Sequence, residues 1–338
     1  MHSAFRYSHT VGFYAQNGRG FNNPVDVALG RDEVLYVLNR AGSDTQVRMS
    51  YKRVTVCTLS QEYRGEFSSG GSGAGHIMWP AAIALDQDER IYISDEALHR
   101  ISVFDQHGTF LHTWGVQGQG DGEFDRPAGL AFDADDHLLV VDGLNNRIQR
   151  YTKDGRFLGQ WGRGGHGEGE FNLPWGITTD HKNQVYVADW RNDRIQKFAA
   201  NGTYLASLGT SGQGPGEFHR PTGVAVDQAG MLYVSDWGNE RVQVLGPDGS
   251  FVAMFRGESA LSRWAEDYFS SNQDELEERD KADLEPDLDL LPSDGVREES
   301  ASIEKLFWGP TAVKVDAQGR IYVVESCRHR IQIYCKET

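Results

Sequence analysis

Short apolar runs bounded by polar turns recur along most of the chain. Between residues 127 and 161 four of them follow one another, and they read PAGLAF, LLVV, RIQRY and RFLGQW. Runs of this length with turn signals between them predict β-strands, because an amphipathic helix needs a longer stretch with a different period. This stretch therefore predicts one unit of four short strands.

The unit repeats every 47 residues. Its opening prolines stand at Pro80, Pro127, Pro174 and Pro221, and the arginines that open its third strand stand at Arg100, Arg147, Arg194 and Arg241. Pro24 lies 56 residues before Pro80 and Pro310 lies 89 residues after Pro221, so two further copies carry nine and 42 extra residues. Four-stranded units repeated at this length are typical of the blades of a β-propeller.

The last copy ends after its third strand, and the N-terminus supplies the missing fourth strand. Residues 7–12 read YSHTVG and align with FLHTWG at 110–115. An aromatic residue then marks the fourth strand of every copy: Tyr7, Tyr63, Phe110, Phe157, Tyr204 and Phe251. Six such residues indicate six blades, with the two chain ends sharing one blade and closing the ring.

We therefore predict an all-β fold, a six-bladed β-propeller of four-stranded antiparallel blades that forms a single domain over 1–338. The blades are expected at about 24–67, 80–114, 127–161, 174–208, 221–256 and 310–335, with 5–12 completing the sixth. An acidic insert, partly helical or disordered, is expected at 258–305 after the fifth blade.

Three motifs recur in phase with the repeat: PxG(V/I/L)AxD, (I/V/L)YVxDxxNxR(I/V)Q and GxGEF. Together they resemble the NHL repeat, and the resemblance implies the propeller fold. Blades one and six depart from the motifs at Gly30, Asn39, Glu325 and Cys327. These departures concern the loops of the two blades.

The repeated charged residues have a structural interpretation. An aspartate precedes the arginine of the third strand by five residues in four blades, at Asp95, Asp142, Asp189 and Asp236, so we expect each pair to bridge the intervening loop. The glutamates of the crossings between blades, Glu123, Glu170 and Glu217, are interpreted in the same way. Identical residues in every blade cannot all serve one asymmetric site.

Positions nearest the propeller axis are expected to be small, because the blades converge there. Two residues past each proline stand Asp26, Ala82, Gly129, Gly176, Gly223 and Ala312; four past stand Ala28, Ala84, Ala131, Thr178, Ala225 and Lys314. Asp26 and Lys314 are the exceptions, and ring closure makes their blades neighbours. We predict a salt bridge between them across the closing seam; a functional pair lining the tunnel is the alternative.

Net charge is distributed unevenly. The chain carries −16, and residues 258–305 alone contribute −11 from sixteen acidic and five basic residues. The overall charge argues against a general nucleic-acid binder. Within the insert, Leu261, Trp264, Ala265 and Tyr268 stand at helical spacing, which predicts a helix docked on the edge of the fifth blade. The composition of 272–304 favours a flexible loop.

The crossings between blades and the loops between second and third strands open on the same side of a propeller, here called the loop face. The candidate binding residues on it are Trp175, Trp190, Arg191, Trp237, Arg126, His219 and Arg220. Aromatic residues with arginine are typical of interaction hot spots. Packing of each tryptophan against its neighbouring blade is the alternative. The insertion in blade one, near 40–52, is expected on the same face.

An enzyme is the second hypothesis. The six-bladed architecture resembles the peptidyl-hydroxyglycine amidating lyases, and that resemblance implies zinc held by histidines that directly follow the strand-opening prolines. In this chain the six positions are Val25, Ala81, Ala128, Trp175, Thr222 and Thr311, so a metal site of that kind is not expected. An irregular site built from His76, His219 and a carboxylate stays open.

The sequence favours a non-catalytic binding scaffold that presents its loop face to a protein or small-molecule partner. A metal-dependent lyase or hydrolase at the tunnel mouth is the first alternative. An RNA-binding propeller, by resemblance to some tripartite-motif proteins, is the second. We expect no cofactor, no metal, no catalytic residue and a monomer. No membrane segment or signal-peptide pattern is visible, and Cys57, Cys327 and Cys335 cannot form a disulfide framework, so a cytoplasmic location is expected.

Overall fold

Six four-stranded antiparallel sheets make up the propeller in the computed structural model, which describes residues 5–42, 51–286 and 295–337. The first strand is β1 (Phe5–Val11). Blades one to three contain β2 (Pro24–Leu29), β3 (Val34–Asn39), β4 (Arg53–Thr58), β5 (Tyr63–Phe67), β6 (Pro80–Leu85), β7 (Ile91–Asp95), β8 (Arg100–Phe104), β9 (Phe110–Trp114), β10 (Pro127–Phe132), β11 (Leu138–Asp142), β12 (Arg147–Tyr151) and β13 (Phe157–Trp161).

Blades four to six follow the same pattern. They contain β14 (Pro174–Thr179), β15 (Val185–Asp189), β16 (Arg194–Phe198), β17 (Tyr204–Leu208), β18 (Thr210–Ser211), β19 (Glu217–Phe218), β20 (Pro221–Val226), β21 (Leu232–Asp236), β22 (Arg241–Leu245), β23 (Phe251–Phe255), β24 (Pro310–Val315), β25 (Arg320–Glu325) and β26 (Arg330–Lys336). Strands β18 and β19 form a short parallel pair in one crossing. The prediction of a six-bladed all-β propeller is confirmed.

The two ends of the chain share the sixth blade. Strand β1 pairs antiparallel with β26, from Phe5 opposite Lys336 to Val11 opposite Ile331. The order of this sheet is β1-β26-β25-β24, so its outermost strand comes from the start of the chain.

Close approach of the blades at the axis explains the small residues of the inner strands. A Cβ on Gly176 would lie 2.3 Å from the carbonyl oxygen of Thr222, and a Cβ on Gly129 would lie 2.4 Å from that of Trp175. Larger side chains cannot occupy such positions without moving a neighbouring blade.

Asp26 and Lys314 form the predicted salt bridge. Lys314 Nζ lies 3.0 Å from Asp26 Oδ1. The Asp26 side chain is buried, and its carboxylate also accepts the backbone N–H groups of Val27 at 2.9 Å and of Ile83 at 3.0 Å. One carboxylate therefore joins blades six, one and two.

The insert is more ordered than its composition predicts, and it docks elsewhere. It contains three helices, α1 (Arg263–Ser271), α2 (Gln273–Lys281) and α3 (Val296–Ser302), while residues 287–294 lie outside the described part. Trp264 of α1 is buried, its ring lies 5.6 Å from that of Phe21, and its indole N–H donates to the Gln61 carbonyl at 2.6 Å. The helix thus packs on blade one and the N-terminal segment, so the expected site on the edge of blade five was wrong.

The remaining sequence expectations concern the helices and the cysteines. None of the described helices is long and apolar enough to cross a membrane. Cys57, Cys327 and Cys335 are all free. Burial raises the pKa of the Cys57 thiol to about 12, which makes this side chain an unreactive part of the core.

We expect Trp264→Ala to lower the free energy of unfolding by about 3 kcal/mol, because it removes a buried ring from the seam between the chain ends. Urea unfolding followed by circular dichroism would measure the change. The exposed Glu266→Ala on the same helix is the control and is expected to leave the midpoint unchanged. Equal midpoints for both variants would contradict this role for the insert.

The Asp26 carboxylate is expected to stabilise the seam both through Lys314 and through the two backbone N–H groups that it accepts. Asp26→Ala leaves the ammonium group unpaired and is expected to cost roughly 3 kcal/mol. The double variant with Lys314→Ala places at both positions the residue type that other blades carry, and it should be more stable than Asp26→Ala alone. Differential scanning calorimetry of wild type, both single variants and the double variant would test this; additive losses would argue against the coupling.

Candidate functional site

The loop face is built on crossings with a repeated internal architecture. The glutamate of each GxGEF segment accepts the backbone N–H of the glycine three residues earlier, at 2.8–2.9 Å in Glu123, Glu170 and Glu217. The phenylalanine that follows is fully buried in each case, as Phe124, Phe171 and Phe218. These glutamates therefore shape the loops, as the sequence predicted.

The repeated aspartate and arginine pair as expected in three of the four blades. Arginine Nε lies 2.7–2.8 Å from the aspartate Oδ2 in the pairs Asp142–Arg147, Asp189–Arg194 and Asp236–Arg241. In blade two, Arg100 instead donates to the carbonyl groups of Ser72, Gly73 and His76, and Asp95 accepts backbone N–H groups. Glu325 and Arg330 provide the equivalent pair in blade six, at 2.7 Å.

A further repeated contact links neighbouring blades and was missed in the sequence. The residue directly before the third-strand arginine is left-handed, with φ of 50–54°, and its side chain accepts the N–H of a residue that leads into the next blade. Five such hydrogen bonds form, at 2.6–3.2 Å. Written with the acceptor first and the N–H donor second, they are His99–Arg126, Asn146–Leu173, Asp193–Arg220, Glu240–Gly309 and His329–Asn23. The fixed spacing of hydrogen-bond acceptors was the available signal.

The tunnel mouth at the centre of the loop face is nearly closed. Trp175 lines it beside Ala81, Thr222 and Thr311, and the free space there is about 30 Å³. That volume corresponds to roughly one water molecule. A ligand larger than water that approaches this end must therefore lie on the loop face, whereas the opposite end of the inner strands opens into about 310 Å³.

Two tryptophans on this face each lie between two arginines. The guanidinium carbons of Arg191 and Arg220 lie 5.6 and 5.0 Å from the centre of the Trp190 ring. Arg40 and Arg126 both lie 5.4 Å from the centre of the Trp79 ring. The sequence analysis overlooked Trp79, although it directly precedes Pro80, the place that Arg126 occupies before its own proline.

Arg126, Arg191 and Arg220 are exposed, and none of their guanidinium groups forms an ion pair or hydrogen bond with the described residues. Arg40 differs, because its guanidinium pairs with buried Glu96 at 2.6 Å. Of the predicted site residues, the structure groups Trp190, Arg191 and Arg220 in one cluster, pairs Arg126 with Trp79 in another, and places Trp175 at the tunnel mouth. Within the described part of the chain the three arginines have no carboxylate partner.

Trp237 belongs to a sector that the insert covers. Arg297 of α3 lies 4.9 Å from the centre of the Trp237 ring and pairs with the buried carboxylate of Glu240. Burial raises the pKa of Glu240 to about 7. Arg328 completes the contact by donating to the carbonyl groups of Ser300, Ala301 and Ile303. The sequence could not place this helix over blades five and six.

His219 is exposed but is not arranged for catalysis with its neighbours. Its Nδ1 lies 4.0 Å from Asp193 Oδ1, and the Ser211 hydroxyl donates to Asp193 Oδ2 at 2.6 Å. A serine nucleophile needs the histidine between itself and the carboxylate. Here the carboxylate lies between the other two groups, so His219 cannot take a proton from Ser211.

The groups of described residues that could hold a metal ion lie on the opposite side of the propeller, in the turns between first and second strands. They are Asp133, Asp135 and His137, and Asp86, Asp88 and Asp136. Neither contains His76 or His219. His76 instead bonds to the Ser69 hydroxyl at 2.9 Å. The irregular metal site considered from the sequence does not form among the described residues. The two groups are already bound by Arg90, Arg150 and Lys153.

Comparison with known families agrees with this architecture. A family model described as a 6-bladed beta-propeller matches residues 82–151 and 176–253, and the model of the NHL repeat matches residues 307–334. These matches confirm the resemblance to NHL-repeat six-bladed β-propellers that the sequence motifs indicated. No curated protein sequence matches it.

Solved structures share the fold at low sequence identity. A streptogramin B lyase aligns with a TM-score of 0.57 and 11% identity over 98% of both chains. Virginiamycin B lyase from Staphylococcus aureus, solved with quinupristin, aligns at 0.56 and 11% over 98% of this chain and 99% of its own. A protein of unknown function from Bacteroides thetaiotaomicron aligns at 0.59 and 16% over 98% of this chain and 75% of its own. These similarities establish the propeller fold alone.

Acidification is expected to weaken the link between blades six and one. Nδ1 of His329 accepts a backbone N–H, so it must be unprotonated, and burial lowers the pKa of this imidazole to about 4. The unfolded chain binds this proton near pH 6.5, so the contribution of His329 to stability is complete above that pH and is lost as the pH falls toward 4. From pH 7 to pH 5 the expected loss is roughly 2 kcal/mol.

Urea unfolding of His329→Asn at several pH values tests this expectation. Asparagine occupies the equivalent position in blade three as Asn146 and accepts without titrating, so the variant should lose the pH-dependent component. His107→Asn, at an exposed turn, is the control and should keep the wild-type dependence. Parallel curves for wild type and His329→Asn would exclude His329 as the source.

Proposed function

We propose that this chain is a non-catalytic binding scaffold whose loop face receives a protein or small-molecule partner. The observation that carries the proposal is the cluster of Trp190, Arg191 and Arg220 beside Trp175. It combines half-buried indole rings with exposed guanidinium groups that have no ion-pair partner among the described residues. Tryptophan and arginine are the residue types that contribute most to protein interfaces.

The shape of the tunnel mouth supports a surface ligand more than an enclosed substrate. Small-molecule sites typically enclose roughly 300–1,000 Å³. The mouth offers about 30 Å³, and beneath it lies the Asp26–Lys314 salt bridge. A partner that contacts the surrounding loops fits this geometry, and such a partner is more readily a protein than a small molecule.

The loop face is also structurally stiff, which favours its use as a platform. The backbone N–H groups of Arg126 and Arg220 are held by His99 and Asp193 of the preceding blades. Binding groups on such a framework lose little conformational freedom when a partner docks.

The proposal predicts that replacing Trp175 and Trp190 together by alanine abolishes partner capture. Immobilised wild-type protein and variants would be incubated with an extract of the native cells, and retained proteins would be quantified by mass spectrometry. Leu158→Ala, an exposed side chain on outer strand β13, is the matched control and should retain the same partners as wild type.

Two results would count against the proposal. Retention of every captured protein by the double variant would place binding away from the loop face. One equivalent of zinc or iron in protein purified without chelators would favour the metal-dependent lyase or hydrolase instead, and elemental analysis of the same preparation would reveal it.

A further inference from the structure

Three guanidinium groups on the loop face differ from other arginines of the repeat. Arg147, Arg194 and Arg241 are neutralised by buried aspartates at 2.7–2.8 Å. Arg126, Arg191 and Arg220 contact indole rings and no carboxylate among the described residues. The loop face of a chain with a net charge of −16 therefore carries three guanidinium groups that form no ion pair with the described residues.

Stacking prepares these arginines for an anionic ligand. An indole ring attracts a guanidinium through its π-face and restricts its side-chain conformations, but it leaves the charge and most N–H donors free. A carboxylate can then bind in bidentate geometry at a smaller cost in side-chain entropy. The 5.0 Å and 5.4 Å stacks of Arg220 on Trp190 and of Arg126 on Trp79 meet this description.

The repeat places two of these charges symmetrically about an apolar centre. Arg126 and Arg220 directly precede the prolines that open blades three and five, and both are left-handed, with φ of 56° and 53°. Blade four lies between them and carries Leu173 at the same position. Trp175 follows two residues later at the tunnel mouth. Across blade four the loop face therefore presents one guanidinium group, then apolar side chains, then a second guanidinium group.

We propose that the partner, whose existence rests on the function proposed above, binds through an extended segment with acidic residues on both sides of an apolar anchor. The acidic residues pair with Arg126 and Arg220, and the anchor packs on Leu173 and Trp175. Arg191 adds a third cation beside Trp190. Charge complementarity and the order of these groups along the face define the motif.

A peptide fits the face better than a nucleic acid does. Strands of nucleic acid bind along a continuous basic groove that neutralises successive phosphates. Here Asp125 directly precedes Arg126, and the Asp193 carboxylate accepts the backbone N–H of Arg220, so acidic groups interrupt such a groove. A peptide that offers one acidic residue to each guanidinium does not need a continuous basic groove.

Fluorescence anisotropy with defined peptides tests the inference. The probes are fluorescein-labelled peptides of roughly ten residues in which leucine, phenylalanine or tryptophan is flanked on both sides by glutamates at varied spacing. The comparison probes replace every glutamate by glutamine. We expect at least one acidic probe to bind, its glutamine counterpart to bind about tenfold more weakly, and binding to weaken from about 50 mM to about 300 mM salt.

Arg126→Gln with Arg220→Gln should weaken the acidic probe about tenfold. Arg156→Gln with Lys182→Gln is the matched control, since it removes the same charge from exposed side chains on the opposite side and should leave binding unchanged. Both double variants change exposed side chains, and thermal unfolding would verify their folding. Equal binding of the acidic probe to wild type and to Arg126→Gln/Arg220→Gln would overturn the inference.

Two other outcomes separate this inference from the proposed function. If no acidic probe binds while Trp175→Ala/Trp190→Ala still loses captured partners, the acidic motif is wrong and the scaffold stands. If capture is unaffected as well, both are wrong. Tighter binding of a single-stranded uridine oligonucleotide of about ten nucleotides than of any acidic peptide would replace the peptide by a nucleic acid.

Discussion

The first and last strands of the chain share one blade and so close the ring of six sheets, and the rest of this structure depends on that contact. The pairing of β1 with β26 brings blades six and one together, so that Lys314 meets Asp26 at 3.0 Å. The same closure fixes how closely the inner strands approach the axis. Where a Cβ at Gly176 would come within 2.3 Å of a neighbouring carbonyl, residue size is dictated by the ring and not by the local strand.

The repeated residues and the residues proposed to bind a partner are largely different sets. Aspartate–arginine pairs, crossing glutamates and blade-linking acceptors recur because each blade must solve the same packing and hydrogen-bonding problem. Residues that depart from the repeat make the blades differ from one another, and a single binding site requires such a difference. Arg126, Arg220 and Trp79 occupy a place whose backbone is dictated by the fold but whose side chain is not, and there the chain has placed charge and aromatic surface.

The insert contributes both to the packing of the fold and to the loop face. Trp264 of α1 reinforces the seam between the chain ends, whereas Arg297 of α3 covers Trp237 and pairs with Glu240 on the loop face. The insert thereby covers the part of the loop face formed by Trp237 and Glu240 of blade five and Arg328 of blade six. Its acidic composition indicated a solvated loop, because most of its charged residues are on the exposed side of the segment. The few apolar residues that pack it against the propeller hardly change that composition.

The sequence by itself determined the blade count, the strand positions, the shared sixth blade and the pairing of Asp26 with Lys314. These follow from a period of 47 residues and from the exceptions to it, which local patterns preserve. Only the tertiary structure decided where α1 docks, which arginines lack an ion pair with the described residues and how Trp79 joins the face. Such contacts join residues far apart in the chain, and their partners are chosen by the geometry of the closed ring, which no local pattern encodes.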